Sequence, residues 1–329
     1  MVSPSEVFSI RNKNDFKKKA LKIFRLQTKG NPVYKKYVEQ IGVTLEKVKN
    51  ISQIPFLPIE FFKSNKVVTI SHLTSHISHL FLSSGTTGIE RSKHHVSDIS
   101  LYEKSFRKCF EMFYGDVRQY AILALLPSYY ENKNSSLIYM MEDLIKRSKN
   151  KYSAFYNQED ENLLQALQPL LRKKQKVVLF GVSFALLDFS PFRERYPDNI
   201  VIIETGGMKG RREEITREEL HKTLCEKFGV KKIHSEYGMT ELLSQAYSTG
   251  DGILKCPPWM KVLVRDANDP FTFLPHEKTG ALNIIDLANI HSCSFIATQD
   301  VGKTHRNNSF EVIGRMDTSD LRGCNLLMV

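Results

Sequence analysis

Residues Phe81-Leu82-Ser83-Ser84-Gly85-Thr86-Thr87-Gly88 join an apolar lead to six consecutive small residues, four of them hydroxylated. Small side chains leave backbone N–H groups open to an anion, and hydroxyls add donors that converge on the same point. Arg91, Lys93, His94 and His95 follow and could add positive charge beside that anion. Two readings of this stretch stand: a loop that cradles phosphate, or a polar turn between two elements, the commoner use of such residues. The rest of the chain has to separate them.

The 329 residues suffice for one large domain or two ordinary ones with a substantial core. A hydrophobic content of 41% and a charged content of 25% are those of a globular protein in water. No apolar run approaches the ~20 residues that cross a bilayer. Met1-Val2-Ser3-Pro4-Ser5-Glu6 lacks the basic start and apolar run of a signal peptide. These features predict a cytoplasmic protein without a transmembrane segment. A net charge of +11 and a pI near 9.3 point to an anionic partner or to solvated lysines. The cations sit in separate segments, among them Lys17–Lys19, Lys146–Lys151, Arg172–Lys176 and Lys231–Lys232, with no basic stripe interleaved with aromatics. Nucleic acid is therefore not expected as a partner. The cysteines Cys109, Cys225, Cys256, Cys293 and Cys324 are odd in number and show no metal or redox spacing. They read as reduced thiols, most of them small buried residues. Cys324, in Arg322-Gly323-Cys324-Asn325, is either incidental or a nucleophile on an accessible tail.

Residues 1–50 read as an N-terminal helical cap: Phe16, Ala20, Leu21, Ile23 and Phe24 recur at helical spacing, Asn31-Pro32 breaks the pattern, and Val33 to Val48 resumes it. Ile54-Pro55-Phe56-Leu57-Pro58 reads as buried extended chain, because two prolines exclude a helix interior. Residues 51–249 read as an α/β core. Tyr120–Leu126, Val177–Val182 and Asn199–Glu204 are apolar runs of the kind buried on both faces of a parallel sheet. Helical segments (Leu137–Ile145, Leu163–Leu171, Glu213–Phe228) alternate with them, and Ser97-Asp98 offers a cap for another through Leu101 to Phe113. Lys231-Lys232-Ile233-His234 reads as a further short strand. Each run ends in a polar or glycine turn: Pro127-Ser128-Tyr129, Gly181-Val182-Ser183 and Thr205-Gly206-Gly207-Met208. Ligands of open α/β sheets bind beyond the carboxyl ends of the strands, so these loops are expected to share one crevice. Residues 250–313 carry shorter runs and frequent turns, which predicts a β-rich subregion, and 314–329 form a short tail.

Joined to Glu236-Tyr237-Gly238-Met239-Thr240-Glu241, the hydroxyl-rich loop resembles the adenylate-forming superfamily of acyl-CoA synthetases, luciferases and peptide-synthetase adenylation domains. Thr298-Gln299-Asp300-Val301-Gly302 is similar to its ribose-binding segment and Gly314-Arg315-Met316-Asp317 to its hinge. The four motifs keep the family's order over residues 81–317. A narrower resemblance, carried also by Ile54–Pro58, Glu204–Arg211 and Arg322-Gly323-Cys324, is to the acyl-protein synthetases (LuxE-type fatty-acid–protein ligases), relatives of phenylacetate–CoA ligases.

The resemblance implies the large-domain architecture of that superfamily, α/β with a β-rich subregion and without its usual C-terminal small domain. It implies ATP and Mg²⁺, with activation of a fatty or other carboxylic acid as an acyl-adenylate. Ser83, Ser84, Gly85, Thr86, Thr87 and Gly88 would hold the outer phosphates, Thr240 would contact the α-phosphate, and Glu241 would coordinate Mg²⁺. Gly206, Gly207 and Tyr237 would flank adenine, with Met208, Glu236, Gly238 and Met239 completing that part of the site. Asp300 would accept from the ribose hydroxyls, with Arg315 nearby. The acyl group would pass to Cys324 and then to a protein acceptor such as an acyl reductase or an acyl carrier. Superfamily members normally continue ~100 residues past the hinge, into a domain that carries a lysine assisting adenylation and shapes the coenzyme A tunnel. The sequence given stops 12 residues after Asp317, which favours the tail thiol as acceptor. Transfer to coenzyme A, or a nucleotide-binding scaffold without turnover, are the alternatives.

Overall fold

The structure, a computed structural model, describes residues 4–70, 77–84, 90–127, 133–157, 161–189, 198–206 and 215–316. The chain divides into two compact units, Met1–Leu73 with Pro258–Val329, and Thr74–Pro257.

The first unit opens on α1 (Lys13–Gly30), capped by the Asn12 side chain, which accepts from the Asp15 amide. Asn31 then breaks and restarts the helix. Its Oδ1 accepts from the amides of Val33 and Tyr34 to cap α2 (Pro32–Gln40), and Pro32 fits the first turn, where no amide is needed. The helix expected as far as Val48 stops at Gln40, because Gly42 takes a left-handed conformation. The proline-flanked segment is extended and buried as expected. It supplies β1 (Leu57–Pro58), which pairs in parallel with Ile296 and Ala297, and short α3 (Phe61–Ser64) follows.

The second unit opens on a hairpin, β2 (His79–Leu82) and β3 (Lys93–Val96), whose connection is the hydroxyl-rich stretch. Asp98 caps α4 (Ile99–Tyr114) as its sequence predicts. Strand and helix then alternate through β4 (Tyr120–Leu125), α5 (Ser136–Ser148), β5 (Ala154–Tyr156), α6 (Glu161–Arg172), β6 (Lys176–Val182), α7 (Ser183–Asp188), β7 (Ile200–Thr205) and α8 (Arg217–Phe228). The last helix begins after a Thr216–Glu219 capping box rather than at Glu213. The strand expected at Lys231–His234 lies three residues later, as β8 (His234–Tyr237). The two lysines are exposed, whereas Ser235, Glu236 and Tyr237 are buried by pairing with β7. β5, β4, β6, β7 and β8 run parallel in that order, and β9 (Ala246–Ser248) and β10 (Leu254–Lys255) add antiparallel strands beyond β8. Nearly every residue of β4, β6 and β7 is buried, which is why these strands read as continuous apolar runs.

The chain returns to the first unit with β11 (Met260–Arg265), β12 (Gly280–Asp286), β13 (Phe295–Thr304) and β14 (Ser309–Arg315), an antiparallel meander that bears out the β-rich reading. β-carbon growth is impossible at Gly302: an added Cβ would lie 2.0 Å from the Glu311 carbonyl oxygen, beside a register shift. Phe24, Tyr34, Phe56 and Phe295 form the aromatic centre of this unit. Buried Gln27 donates to the carbonyls of Asn289 and Ile290 while accepting from the Ser294 amide, and Asn31 donates to the Ser292 carbonyl. The helices are thereby tied to the turn between β12 and β13. Gln27→Leu keeps the volume and removes every one of its bonds. Urea unfolding of this variant is expected to show a loss of about 2–4 kcal/mol, and Gln27→Glu at neutral pH at least as large a loss, because its carboxylate would face the carbonyls of Asn289 and Ile290.

Candidate functional site

In the second unit, β4, β6, β7 and β8 run parallel, so Pro127, Ser183, Gly206 and Gly238 all leave the sheet on one edge. Two of the turns singled out in the sequence, at Pro127 and Gly206, thus start at the carboxyl ends of their strands, whereas the turn expected at Gly181-Val182-Ser183 is replaced by β6 running through Val182 straight into α7 at Ser183.

The neck of the hydroxyl-rich loop is closed by Ser83. Its amide donates to the Ser92 carbonyl (3.1 Å), and its Oγ accepts from the Ser92 amide (2.9 Å). Ser83 is half-buried and Ser84 exposed; Gly85, Thr86, Thr87 and Gly88 lie outside the described residues. Two positions beyond Ser92, His94 is fully buried on β3, with Nδ1 2.7 Å from the carbonyl oxygen of Thr240. Burial lowers its pKa to about 4, against the raising effect of that bond, so the ring is neutral and Nδ1–H donates. His94 therefore ties the hydroxyl-rich hairpin to the Tyr237–Glu241 segment, 146 residues away in sequence. In the sequence it read only as one of four groups adding positive charge beside the loop; buried and neutral, it adds none.

Glu236 and Glu204 are both buried. Pairing of Glu204 with Ser235 and of Thr205 with Glu236 sends the two carboxylates to opposite faces of the sheet. On one face Thr205 Oγ1 donates to Glu236 Oε2. Burial raises Glu236 to about 7, the Thr205 bond lowers it, and Glu204 raises it further. The phenols of Tyr102 and Tyr247 are raised by burial first and by this carboxylate next. Gly238 suits the same corner: a Cβ there would lie 2.6 Å from Glu236 Oε1. Met239 closes the following turn by accepting from the Leu242 amide, Thr240 is half-buried, and Glu241 is buried at 5% exposure.

On the other face Glu204 is ionised. Burial pushes its pKa up, but His221, Arg217 and Ser235 more than offset that, and the net shift is downward. His221 Nε2 stands 3.4 Å from Glu204 Oε1, and Arg217 Nε 4.0 Å. Ser183 Oγ lies 3.0 Å from Glu204 Oε2 and 2.6 Å from the carbonyl oxygen of Gly206, which it donates to. Gly206 itself is left-handed, φ +67°, as expected of a glycine that turns the chain sharply out of β7. Ser183, Glu204 and His221 thus anchor the first residue of the Gly206-Gly207-Met208 loop; Gly207 and Met208 lie outside the described residues. Nothing in the sequence around His221 or Ser183 marked them for this.

In the first unit, Asp300 and Arg315 are cross-strand partners of β13 and β14, with Arg315 Nε 3.9 Å from Asp300 Oδ1. Arg315 is 68% exposed at the end of β14, and Met316 returns an amide bond to Gln299. Cys109 and Cys293 are buried as expected; burial pushes the Cys293 thiol up to about 12. Cys324 lies outside the described residues. Among the described residues no cluster of three or more His, Cys, Asp or Glu is poised to hold a metal, and no helix is long and apolar enough to cross a membrane.

Two titrations with opposite signs follow. Glu236 binds its proton more tightly folded than unfolded, so its contribution is full below about pH 4.5 and fades as pH rises to about 7. Glu236→Gln removes that slope, and its stability relative to the parent should improve between pH 5 and pH 8 by on the order of 1–3 kcal/mol. His94 contributes above its ordinary value near 6.5 and loses that contribution as pH falls toward about 4. His94→Gln should therefore show its largest deficit at pH 8 and a smaller one at pH 4.5, read by denaturant unfolding at each pH.

Residues 3–329 match the model of the acyl-protein synthetase family, LuxE. The long-chain-fatty-acid–luciferin-component ligase of Vibrio harveyi is 26% identical over 325 residues, covering 91% of this chain and 83% of that protein. Among solved structures, 2-hydroxyisobutyryl-CoA ligase in the postadenylation state with 2-HIB-AMP superposes with a TM-score of 0.66 at 11% identity, over 92% of this chain and 68% of the other. ATP-bound MatB from Rhodopseudomonas palustris gives 0.54 at 17% identity, over 75% of this chain and 50% of the other, so this chain spans about half the length of that ligase. At such identities the structural likeness concerns the fold alone, and the fold is that of adenylate-forming ligases. With the family matched from Ser3 to the last residue, the protein belongs to the LuxE acyl-protein synthetases.

Proposed function

We propose that this protein activates a long-chain fatty acid with ATP and carries the acyl group on Cys324 for delivery to a partner protein such as a fatty-acid reductase. The observation that carries the reading is the His94–Thr240 bond, which holds the hydroxyl-rich hairpin against the Tyr237–Glu241 segment. The family match and the name of the Vibrio harveyi relative support the choice of acid. An ATP-dependent reaction fits a cytoplasmic location.

The residues present fit Mg·ATP. Magnesium is commonly held by one or two carboxylates plus substrate phosphates and water, and Glu241 is a buried carboxylate adjoining Thr240, with no wider cluster among the described residues. When bound, the ion neutralises charge that develops on the phosphates. The chain's own residues do the rest. The Ser83–Gly88 loop holds the outer phosphates, and its Ser83 neck fixes where the loop starts. Thr240 meets the α-phosphate, its backbone carbonyl braced by His94. The turn at Gly206 and Gly207, with Met208, Glu236, Tyr237, Gly238 and Met239, bounds the base; Asp300 accepts from the ribose, with Arg315 beside it. Orientation and charge stabilisation of this kind supply most of the rate in such displacements.

The acid's carboxylate oxygen attacks the α-phosphorus and pyrophosphate leaves. The Cys324 thiolate then attacks the acyl carbon, the C–O bond to AMP breaks, and a thioester results; the thiol proton goes to solvent. Three of the four described cysteines serve this step poorly. Cys109 is fully buried with its Sγ–H donated to Gln245, Cys293 is raised to about 12, and burial raises Cys225 as well.

Incubation with ATP and a radiolabelled long-chain acid should label the protein, and hydroxylamine should release the label. Cys324→Ser should lose the label while retaining acid-dependent pyrophosphate exchange. Labelling that persists in this variant rules out Cys324, and acyl-CoA formation that ignores the substitution assigns coenzyme A as the acceptor. Glu241→Gln should lower pyrophosphate exchange by roughly 100-fold.

A further inference from the structure

The positive charge is not evenly distributed. Residues 1–73 hold 14 Lys and Arg against 5 Asp and Glu, while residues 74–329 hold 33 against 31, so nine of the eleven excess charges lie in the first 73 residues. The sequence reading of separate cationic segments overlooked this concentration. Helix α1 contributes Lys13, Lys17, Lys18, Lys19, Lys22, Arg25 and Lys29 against Asp15 alone.

The helix sorts these residues by face. Phe16, Ala20, Ile23, Phe24, Gln27 and Thr28 point into the unit. Lys18, Lys22, Arg25 and Lys29 are all exposed. Their spacing of four, three and four residues confines them to an arc of roughly 60° over about 16 Å of helix axis. None of the four forms an ion pair among the described residues, whereas Lys35, Lys93, Arg107 and Lys303 do. At the C-terminal end of this row the Gly30 carbonyl accepts from the amide of Ile70 (2.8 Å), whose side chain is 63% exposed. A row of cations thus ends beside a protruding apolar side chain.

We propose that this face of α1 docks the protein onto an anionic lipid bilayer. Three of its four cations are lysines and no exposed aromatic stands among them. Lysine is depleted from protein–protein interfaces, where aromatic and arginine anchors in desolvated pockets supply the affinity. Solvated lysines suit a diffuse anionic surface instead, at about 1 kcal/mol for each one near the headgroups. The apolar side of α1 is already buried in the unit, so the contact is electrostatic, with Ile70 as the only large apolar side chain at hand near the row among the described residues. The inference does not depend on the chemistry proposed above. If that chemistry holds, docking would seat the enzyme on the phase in which long-chain acids dissolve.

The full chain is sedimented with phosphatidylglycerol–phosphatidylcholine vesicles and with pure phosphatidylcholine vesicles, at low and high salt. Binding is expected to the anionic vesicles only, and to be lost at high salt, where screening shortens the reach of exposed charges to a few ångströms. Replacing Lys18, Lys22, Arg25 and Lys29 together by Gln, a good helix former, should weaken vesicle binding roughly 100-fold with thermal unfolding and pyrophosphate exchange unchanged. Changing Lys18, Lys22 and Lys29 to Arg should leave binding intact. The four single Gln variants, which disturb an exposed helix face least, should each lower binding by part of that amount. Equal binding to both vesicle types overturns the proposal, as does parental binding by the fourfold variant. So does retention on immobilised polyglutamate without any vesicle binding, which would make the row a dock for an acidic protein.

Discussion

The pairing register of β7 with β8 is the constraint on which the candidate site rests. Thr205 stands opposite Glu236 and Glu204 opposite Ser235, so two buried carboxylates separated by one strand spacing face away from each other. Each finds its own partners: Thr205 for Glu236, and His221 and Arg217 for Glu204. A slip of one residue would turn both strands' side chains to the wrong faces and leave a carboxylate in apolar surroundings. An unpaired buried charge costs several kcal/mol, more than any single apolar contact in the sheet returns. The polar residues of this sheet edge therefore specify alignment, while the apolar runs of β4, β6 and β7 supply the driving force.

The same division of labour holds in the first unit. Phe24, Tyr34, Phe56 and Phe295 provide apolar area, and polar groups fix how it is used. Gln27 and Asn31 bind the turn after β12. Arg265, lowered to about 10 chiefly by burial, gives its guanidinium to the carbonyls of Leu282 and Thr298 and to Asn283 Oδ1. These bonds bridge segments more than 200 residues apart in one case, and in the other run from β11 to its neighbour β12 and across it to β13. Removing one partner leaves several groups without theirs, which is why such positions tolerate little change.

Loops of the candidate site and structural braces are interleaved at the sheet edge. Gly206 turns out of β7 because glycine tolerates a left-handed backbone, and its carbonyl is held by Ser183. Thr240 follows β8, and its carbonyl is held by His94 from a separate hairpin. In both cases a neighbouring side chain sets where a loop begins. Preorganisation of this kind lowers the ordering that a bound anion would otherwise impose.

Much of this was legible in the residues. Continuous apolar runs marked β4, β6 and β7, the intervening periodicity marked α5 and α6, and short runs between turns marked the β11–β14 meander. Local composition suffices for such elements, since burial on both faces or on one stripe leaves its period in the chain. The family was legible as well, because the order of its motifs along the chain is itself a signal. Burial was not. β8 was misplaced by three residues because Glu236 looks like a surface residue until Thr205 stands opposite it. The roles of His94, Ser183, Glu204 and His221 were invisible, since each depends on an atom that only chain folding brings within bonding distance. The amino-acid order alone thus determined which elements form and which family they belong to. Tertiary structure decided which polar groups are buried and paired, because desolvation and hydrogen bonding depend on neighbours distant in sequence.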